Sequence, residues 1–372
     1  MNEFAHFLDN YVPDQLAQRN LPGASVALIE DSRIVASRHF GYADVAGKRP
    51  LQEDTLFQIA SISKSLAAWG VMKLVEQGQL DLDAPVEQYL TRWQFPASNF
   101  DSKAVTARLL LMHFAGTSLS GCGGTPYDTT WYTVEDILYG RTPALDESQV
   151  AYANKWGLDP ESYGKPVQLI HQPGSKFEYS GGGFTILELL VEELSGRDFT
   201  TFMSEEILQP LGMSESTFEL RPEQRPRVAV PYSDALEPIT LYRTNGKAAG
   251  GMYSNISELA MFACAGMTGP NGEPAGRGVL TPASIAEMHR PDRYAETAMD
   301  FEFFTGLGHY VVDLGDIRAI QHTGGNPGWR TVYTIVPRGK VGFVCLINSA
   351  GGNDLWMDLI GQWSATFMQA AG

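Results

Sequence analysis

Apolar residues Ile62, Leu66, Trp69, Met72 and Val75 recur every three or four positions and the pattern stops at Gly78, which predicts an amphipathic helix with a glycine end signal. A second such face, Phe184, Leu187, Leu190, Val191 and Leu194, follows a glycine run and ends at Gly196. Shorter apolar runs have another rhythm. Ala24 to Glu30 and Ile34 to Phe40, separated by Asp31-Ser32-Arg33, predict an amino-terminal hairpin. Trp329 to Pro337 and Lys340 to Asn348 are rich in β-branched and aromatic residues and predict adjacent strands, preceded by the apolar stretch Ile317 to Gln321. Asp354 to Met368 predicts a closing helix.

From about Gln58 to about Asp234 the pattern is mostly helical, broken by a polar, Gly/Pro-rich excursion from Ser118 to Pro173, and strands return after Leu241. Strands at both ends with helices between them predict one sheet assembled from the two termini with an all-helical region inserted. The expected organisation is an α/β sheet lobe from residues 1–57 and 240–372 and a mainly helical lobe from residues 58–239.

Composition narrows the classes. A hydrophobic fraction of 44% over 372 residues supports a packed core. With no run of eighteen apolar residues, no membrane span is expected. A formal charge of −16 argues against nucleic acid and against adsorption to acidic membranes. The three cysteines, Cys122, Cys264 and Cys345, are an odd count without metal spacing and fit buried free thiols in a reducing compartment. The opening stretch MNEFAHFLDNYVPDQL carries acids where a secretory signal has a basic and then an apolar stretch. The expectation is therefore a cytoplasmic protein, or a periplasmic or secreted one if a leader has been trimmed. No metal motif appears among the seven histidines, and neither a metal nor a cofactor is expected.

Candidate chemistry begins at the first helix. Ser61 and Lys64 form a Ser-x-x-Lys pair at its start, so a hydroxyl and an amine are neighbours on one face. That spacing supplies a serine nucleophile with a base without histidine. Lysine can act so only as the free amine, a form that burial favours. The helix amino end adds unpaired N–H groups and partial positive charge, which favour an alkoxide and an oxyanion nearby. The spacing alone is weak, since about one or two such pairs arise by chance in a chain of this length. Ser162 and Lys165 are a second pair, but Pro166 pushes Lys165 out of helical geometry and makes that pair a loop accident. Two further stretches add weight. Tyr179 precedes the glycine run Gly181-Gly182-Gly183, where a tyrosine is ordinarily structural. His322-Thr323-Gly324-Gly325 precedes the paired strands; it is either an ordinary hairpin turn or an edge that presents backbone N–H groups to a cleft. His113, flanked by Met112 and Phe114, has the surroundings of a satisfied, partly buried group rather than a base. Tyr127, Trp131, Tyr132 and Trp156 either line a substrate cleft or cover the helical core. The Gly-x-Ser-x-Gly elbow of other serine hydrolases is absent.

Taken in order, Ser61-x-x-Lys64, Tyr179-Ser180-Gly181 and His322-Thr323-Gly324 resemble the three signature elements of the penicillin-recognising serine hydrolases, in the branch of class C β-lactamases, D-Ala-D-Ala carboxypeptidases and family VIII-type esterases. Leu109 to Gly116, Ile207 to Met213 and Ala248 to Asn255 resemble the same family. The resemblance implies a β-lactamase/transpeptidase-like fold, α/β plus all-α, with an antiparallel sheet flanked by helices and an active site in the cleft between lobes. It also implies acyl transfer through Ser61, with Lys64 or Tyr179 as base and an oxyanion hole at the backbone N–H groups of Ser61 and Gly325. Gly181, His322, Thr323 and Gly324 would meet the substrate. One departure matters. Many members have an asparagine where Gly181 stands, so the amide that would hold an acylamino group is missing, and His322 stands where many β-lactamases have lysine. These point to small esters, amides or D-amino-acid peptides as substrates. A β-lactamase or carboxypeptidase proper, and a non-catalytic acylation sensor, are the competing readings. The oligomeric state is not indicated.

Overall fold

The computed structural model describes residues 2–119, 124–129, 131–155, 160–295, 303–313 and 317–371. In chain order the strands are β1 (Gly23–Glu30), β2 (Arg33–Asp44), β3 (Arg49–Pro50), β4 (Phe57–Gln58), β5 (Gly124–Pro126), β6 (Tyr242–Thr244), β7 (Tyr253–Ser254), β8 (Arg293–Ala295), β9 (Phe303–Thr305), β10 (Tyr310–Asp313), β11 (Arg318–Asn326), β12 (Trp329–Val336) and β13 (Val341–Ile347). The helices are α1 (Asn2–Gln18), α2 (Ser63–Glu76), α3 (Ala107–Leu111), α4 (Val134–Leu138), α5 (Glu147–Lys155), α6 (Gly181–Ser195), α7 (Phe199–Met203), α8 (Lys247–Gly250), α9 (Ile256–Ala265), α10 (Pro282–Met288) and α11 (Asn353–Ala371).

Nine strands form one antiparallel sheet in the order β3-β2-β1-β13-β12-β11-β10-β9-β8. The amino-terminal hairpin pairs with the carboxy-terminal strands through β1 and β13, where Val26 faces Cys345. The sheet therefore unites the two termini, as the alternation of patterns predicts. Alternate residues of each strand face opposite sides. On the outer side Val26, Leu28, Val332 and Phe343 pack with Leu8 and Val12 of α1 and Leu359 and Trp363 of α11. On the inner side Ala27, Ile29, Tyr333 and Leu346 join one apolar core with Leu66 and Trp69 of α2 and Leu187 and Leu190 of α6. That core continues across the expected boundary between lobes.

Three regions depart from the sequence pattern. Residues 2–18 are a helix that the apolar runs did not announce, docked by Phe4, Leu8, Val12 and Leu16. After Leu241 two short strands leave the main sheet: β6 pairs with β5 and β7 with β4. Helices α9 and α10 then intervene before the sheet resumes, and Leu259 and Phe262 of α9 enter the inner core. Cys264 and Cys345 are free and buried, while Cys122 and Trp156 lie outside the described residues.

Candidate active site

Ser61 sits in a three-residue 3₁₀ turn, Ala60–Ile62, and α2 proper begins only at Ser63. The turn is under constraint, because Ala60 has φ +50°, a region that residues with a β-carbon seldom occupy. Its surroundings hold it. Ser63 Oγ donates to the Ala60 carbonyl at 2.6 Å and accepts from Met252 N–H at 3.0 Å. Ile59 N–H donates to the Met252 carbonyl at 2.9 Å, and Thr331 Oγ1 of β12 donates to the Ile59 carbonyl at 2.8 Å. These hydroxyls carry no motif, and only their contacts identify them.

Lys64 follows on the first turn of α2, is 2% exposed, and brings its Nζ to 3.2 Å from Ser61 Oγ. The same amine donates to the Ala249 carbonyl of α8 and lies 4.9 Å from the ring centre of Tyr179. Helix α8 is itself fixed by Glu188 of α6, whose carboxyl accepts from Ala248 N–H at 2.9 Å. Burial pushes the Glu188 carboxyl up to about 8, against the opposing pull of Lys247.

Tyr179 closes the constellation from the other side, its hydroxyl 2.8 Å from Ser61 Oγ. The glycine run behind it is the first turn of α6, capped by Ser180 Oγ accepting from Gly183 N–H at 2.9 Å. His113 holds this loop. Its Nδ1 accepts from Ser180 N–H at 3.1 Å, and its ring centre lies 4.4 Å from that of Tyr179. Burial, then Lys64 and His322, keep it well below the usual histidine range, so it is a neutral acceptor.

His322, Thr323, Gly324 and Gly325 lie within β11, and the chain reverses after them at Pro327-Gly328. They are strand, not hairpin turn. The β11 backbone passes so near the Ser61 turn that a β-carbon on Gly324 would stand 2.3 Å from the Ile59 carbonyl oxygen and 2.2 Å from Thr331 Oγ1. His322 is 2% exposed, stacks on Tyr310 with ring centres 4.8 Å apart, and has Nδ1 at 2.7 Å from the Thr323 carbonyl. Desolvation, reinforced by Lys64, takes it down to about 3. At neutral pH it presents an uncharged ring.

Ser61, Lys64, Tyr179, Gly181 and the run His322 to Gly325 all line one cavity of about 1000 Å³. Leu119, Gly124, Leu145, Gln149 and Tyr163 of the long excursion form part of its wall. Another part is the pair Gln58 and Asn326, whose side chains bond at 2.8 Å. Tyr127 instead lies buried in the inner core with its hydroxyl on Leu220, and the exposed Trp131 stacks on Arg243 at 3.6 Å; neither lines this cavity. Lys165 is exposed and pairs with Glu161 at 3.8 Å. Among the described residues no group of His, Cys, Asp or Glu is arranged to hold a metal ion, and no helix is long and apolar enough to cross a membrane.

The same order of elements marks a known family, whose profile, described as Beta-lactamase, matches residues 8–361. The chain belongs to the Beta-lactamase family. Among curated relatives, Esterase EstB of Burkholderia gladioli is 33% identical over 239 residues, 63% of this chain and 56% of the esterase. The mitochondrial serine beta-lactamase-like protein LACTB of Homo sapiens is 26% identical over 85% of this chain and 69% of its own length. The chain thus spans little more than half of the esterase. A class C beta-lactamase superposes with a TM-score of 0.74 at 20% identity, covering 96% of this chain and 94% of that one. The D-amino acid amidase of Ochrobactrum anthropi SV3 gives 0.71 at 22% identity, covering 93% and 92%. At those identities the likeness is one of fold, and the fold is β-lactamase/transpeptidase-like.

Proposed function

We propose that the protein is a serine hydrolase that cleaves small esters or amides, D-amino-acid peptides among them, through an acyl-enzyme on Ser61. The observation that carries this reading is the convergence of Lys64 Nζ and the Tyr179 hydroxyl on Ser61 Oγ, at 3.2 and 2.8 Å. Both lie within the reach required of a proton acceptor in nucleophilic catalysis. In acylation the Ser61 Oγ–carbon bond forms, the bond to the leaving group breaks, and the serine proton passes to the Lys64–Tyr179 pair. Lys64 is buried and Tyr179 only half-buried, so the tyrosine is the member positioned to hand the proton to the leaving group. Water then attacks the ester, losing its proton to the pair, and Ser61 recovers one. The backbone N–H groups of Ser61 and Gly325 are the proposed oxyanion donors, a type of contact worth about 3 to 4 kcal/mol where one has been removed.

The esterase among the relatives and the amidase among the structures both fit this class. Gly181 in place of an amide side chain, and a His322 ring that carries no charge, favour esters and amides over β-lactams as substrates. The test is a panel of p-nitrophenyl acetate, nitrocefin and a D-alanyl p-nitroanilide, together with a fluorophosphonate label. Ser61→Ala is expected to abolish turnover and labelling while circular dichroism stays unchanged. Labelling that survives in that variant would overturn the assignment.

A further inference from the structure

We infer that the substrate of this site carries a long apolar chain, which lies in a groove running from the catalytic residues over the outer face of the sheet to the far end of α11. The inference rests on the hydrolase reading for the reacting bond and on separate observations for the chain. The cavity that holds Ser61 does not end at the catalytic residues. It continues along β11, where Thr323, Gln321 and Ala319 alternate onto one face, and on to Ile317 just before the strand, and all four line it. Six residues of strand extend about 20 Å.

The opposite wall is helix. Trp356, Met357, Ile360 and Phe367 of α11 line the same cavity, and their spacing places them along one stripe about 16 Å long. Val312 of β10 and Val336 of β12 extend the apolar lining. Met357 is 41% exposed, and Ile317, Trp356 and Ile360, which pack against the outer core on one side, stay half-buried and keep part of their surface open. An apolar groove left open beside a reactive centre marks a binding surface.

Charge points to the same occupant. The chain has a formal charge of −16, yet no Asp or Glu is among the described residues lining the cavity. Among those described residues the only Lys or Arg are Lys64, beside the nucleophile, and Arg330. Along Ile317, Ala319, Val336, Met357, Ile360 and Phe367 a peptide would leave backbone N–H and C=O groups without polar partners, whereas a hydrocarbon chain needs none. The occupant is therefore the aliphatic part of a long-chain ester or amide, continuous with the bond presented to Ser61.

Two ester series on the intact chain test this and show on which side of the bond the chain lies. One lengthens the acyl group from p-nitrophenyl acetate to p-nitrophenyl dodecanoate; the other lengthens the alcohol from ethyl to dodecyl acetate. In one series kcat/KM is expected to rise by roughly 10-fold or more between the shortest and the decanoyl or decyl member. Ile360→Glu and Met357→Lys, each checked by circular dichroism, should cut the long-to-short ratio by a similar factor. A flat or falling dependence in both series overturns the inference. A binding measurement separates it from the catalytic reading: dansylated undecanoic acid added to Ser61→Ala protein should give saturable fluorescence that Ile360→Glu removes. Absence of saturable binding overturns the groove even if the acetates are hydrolysed, and binding sustains it even if they are not.

Discussion

Gly324 of β11 and Ile59, two residues before Ser61, approach so closely that a β-carbon on the glycine would stand 2.3 Å from the Ile59 carbonyl oxygen. The obstacle is backbone, so the strand or the turn would have to shift. Gly324→Ala is therefore expected to cost about 1 to 3 kcal/mol of stability, as overpacking does. Activity should suffer more, by roughly 10²-fold in kcat/KM, because small displacements of catalytic groups are costly. Urea unfolding and steady-state kinetics on the same variant check both figures, and an unchanged rate would show that the approach does not position Ser61.

Lys64 and Tyr179 meet at one oxygen, so their losses should not multiply. Lys64→Ala and Tyr179→Phe are each expected to slow acylation by at least about 10²-fold. The double variant should fall short of the product of the two effects, the sign of groups that act as a unit. Pre-steady-state burst rates give the measurement, and a near-wild-type rate in either single variant would remove that residue from the mechanism.

On the proposed hydrolase reading, Gly181 and His322 bear on substrate choice. Loss of one hydrogen bond to an acylamino group is worth about 0.5 to 1.5 kcal/mol. The buried, uncharged His322 supplies no cation for a carboxylate. Short-chain p-nitrophenyl esters, which carry neither group, are therefore expected to exceed nitrocefin in kcat/KM, and Gly181→Asn should narrow the gap. A natural protein that prefers nitrocefin would instead be a β-lactamase.

Three buried histidines, His113, His309 and His322, and the half-buried His289 tie stability to pH. Desolvation holds His289 at about 4 and His322 at about 3, and His113 and His309 well below the ordinary value of 6.5. Below pH 6.5 the unfolded chain takes up protons at these positions and the native protein does not. Stability is thus fully present above 6.5 and is lost on acidification toward 4, by up to about 1.4 kcal/mol per pH unit for each histidine. Glu188 acts in the opposite sense: raised to about 8, it is protonated in the native state, so its contribution is lost as pH rises from 4.5 toward 8. Four groups outweigh one. The free energy of unfolding in urea should therefore fall between pH 7 and pH 5, and a flat profile would mean that these rings reach water.

Local pattern alone identified both long helices behind the site, because their apolar faces and end glycines report a 3.6-residue period that needs no partner. Gly78 and Gly196 do adopt positive φ. It also placed Ser61 and Lys64 together, since one helical turn dictates that distance, and it announced the hairpin and the last strands through their short apolar runs rich in β-branched and aromatic residues. It could not place α1, whose stripe of Phe4, Leu8, Val12 and Leu16 is interrupted by Pro13 and by acids. Nor could it show that β6 and β7 leave the main sheet, because strand pairing is a matter of which edges meet. Tyr179 reaches Ser61 across 118 residues of chain. His113, Ser63, Thr331 and Glu188 hold the turn, the loop and the short helix that converge there, and none stands in a motif. Such residues act through contacts closed only on folding, so tertiary structure alone decided how these elements are held around Ser61, the neutral state of His322 and the apolar lining beyond it.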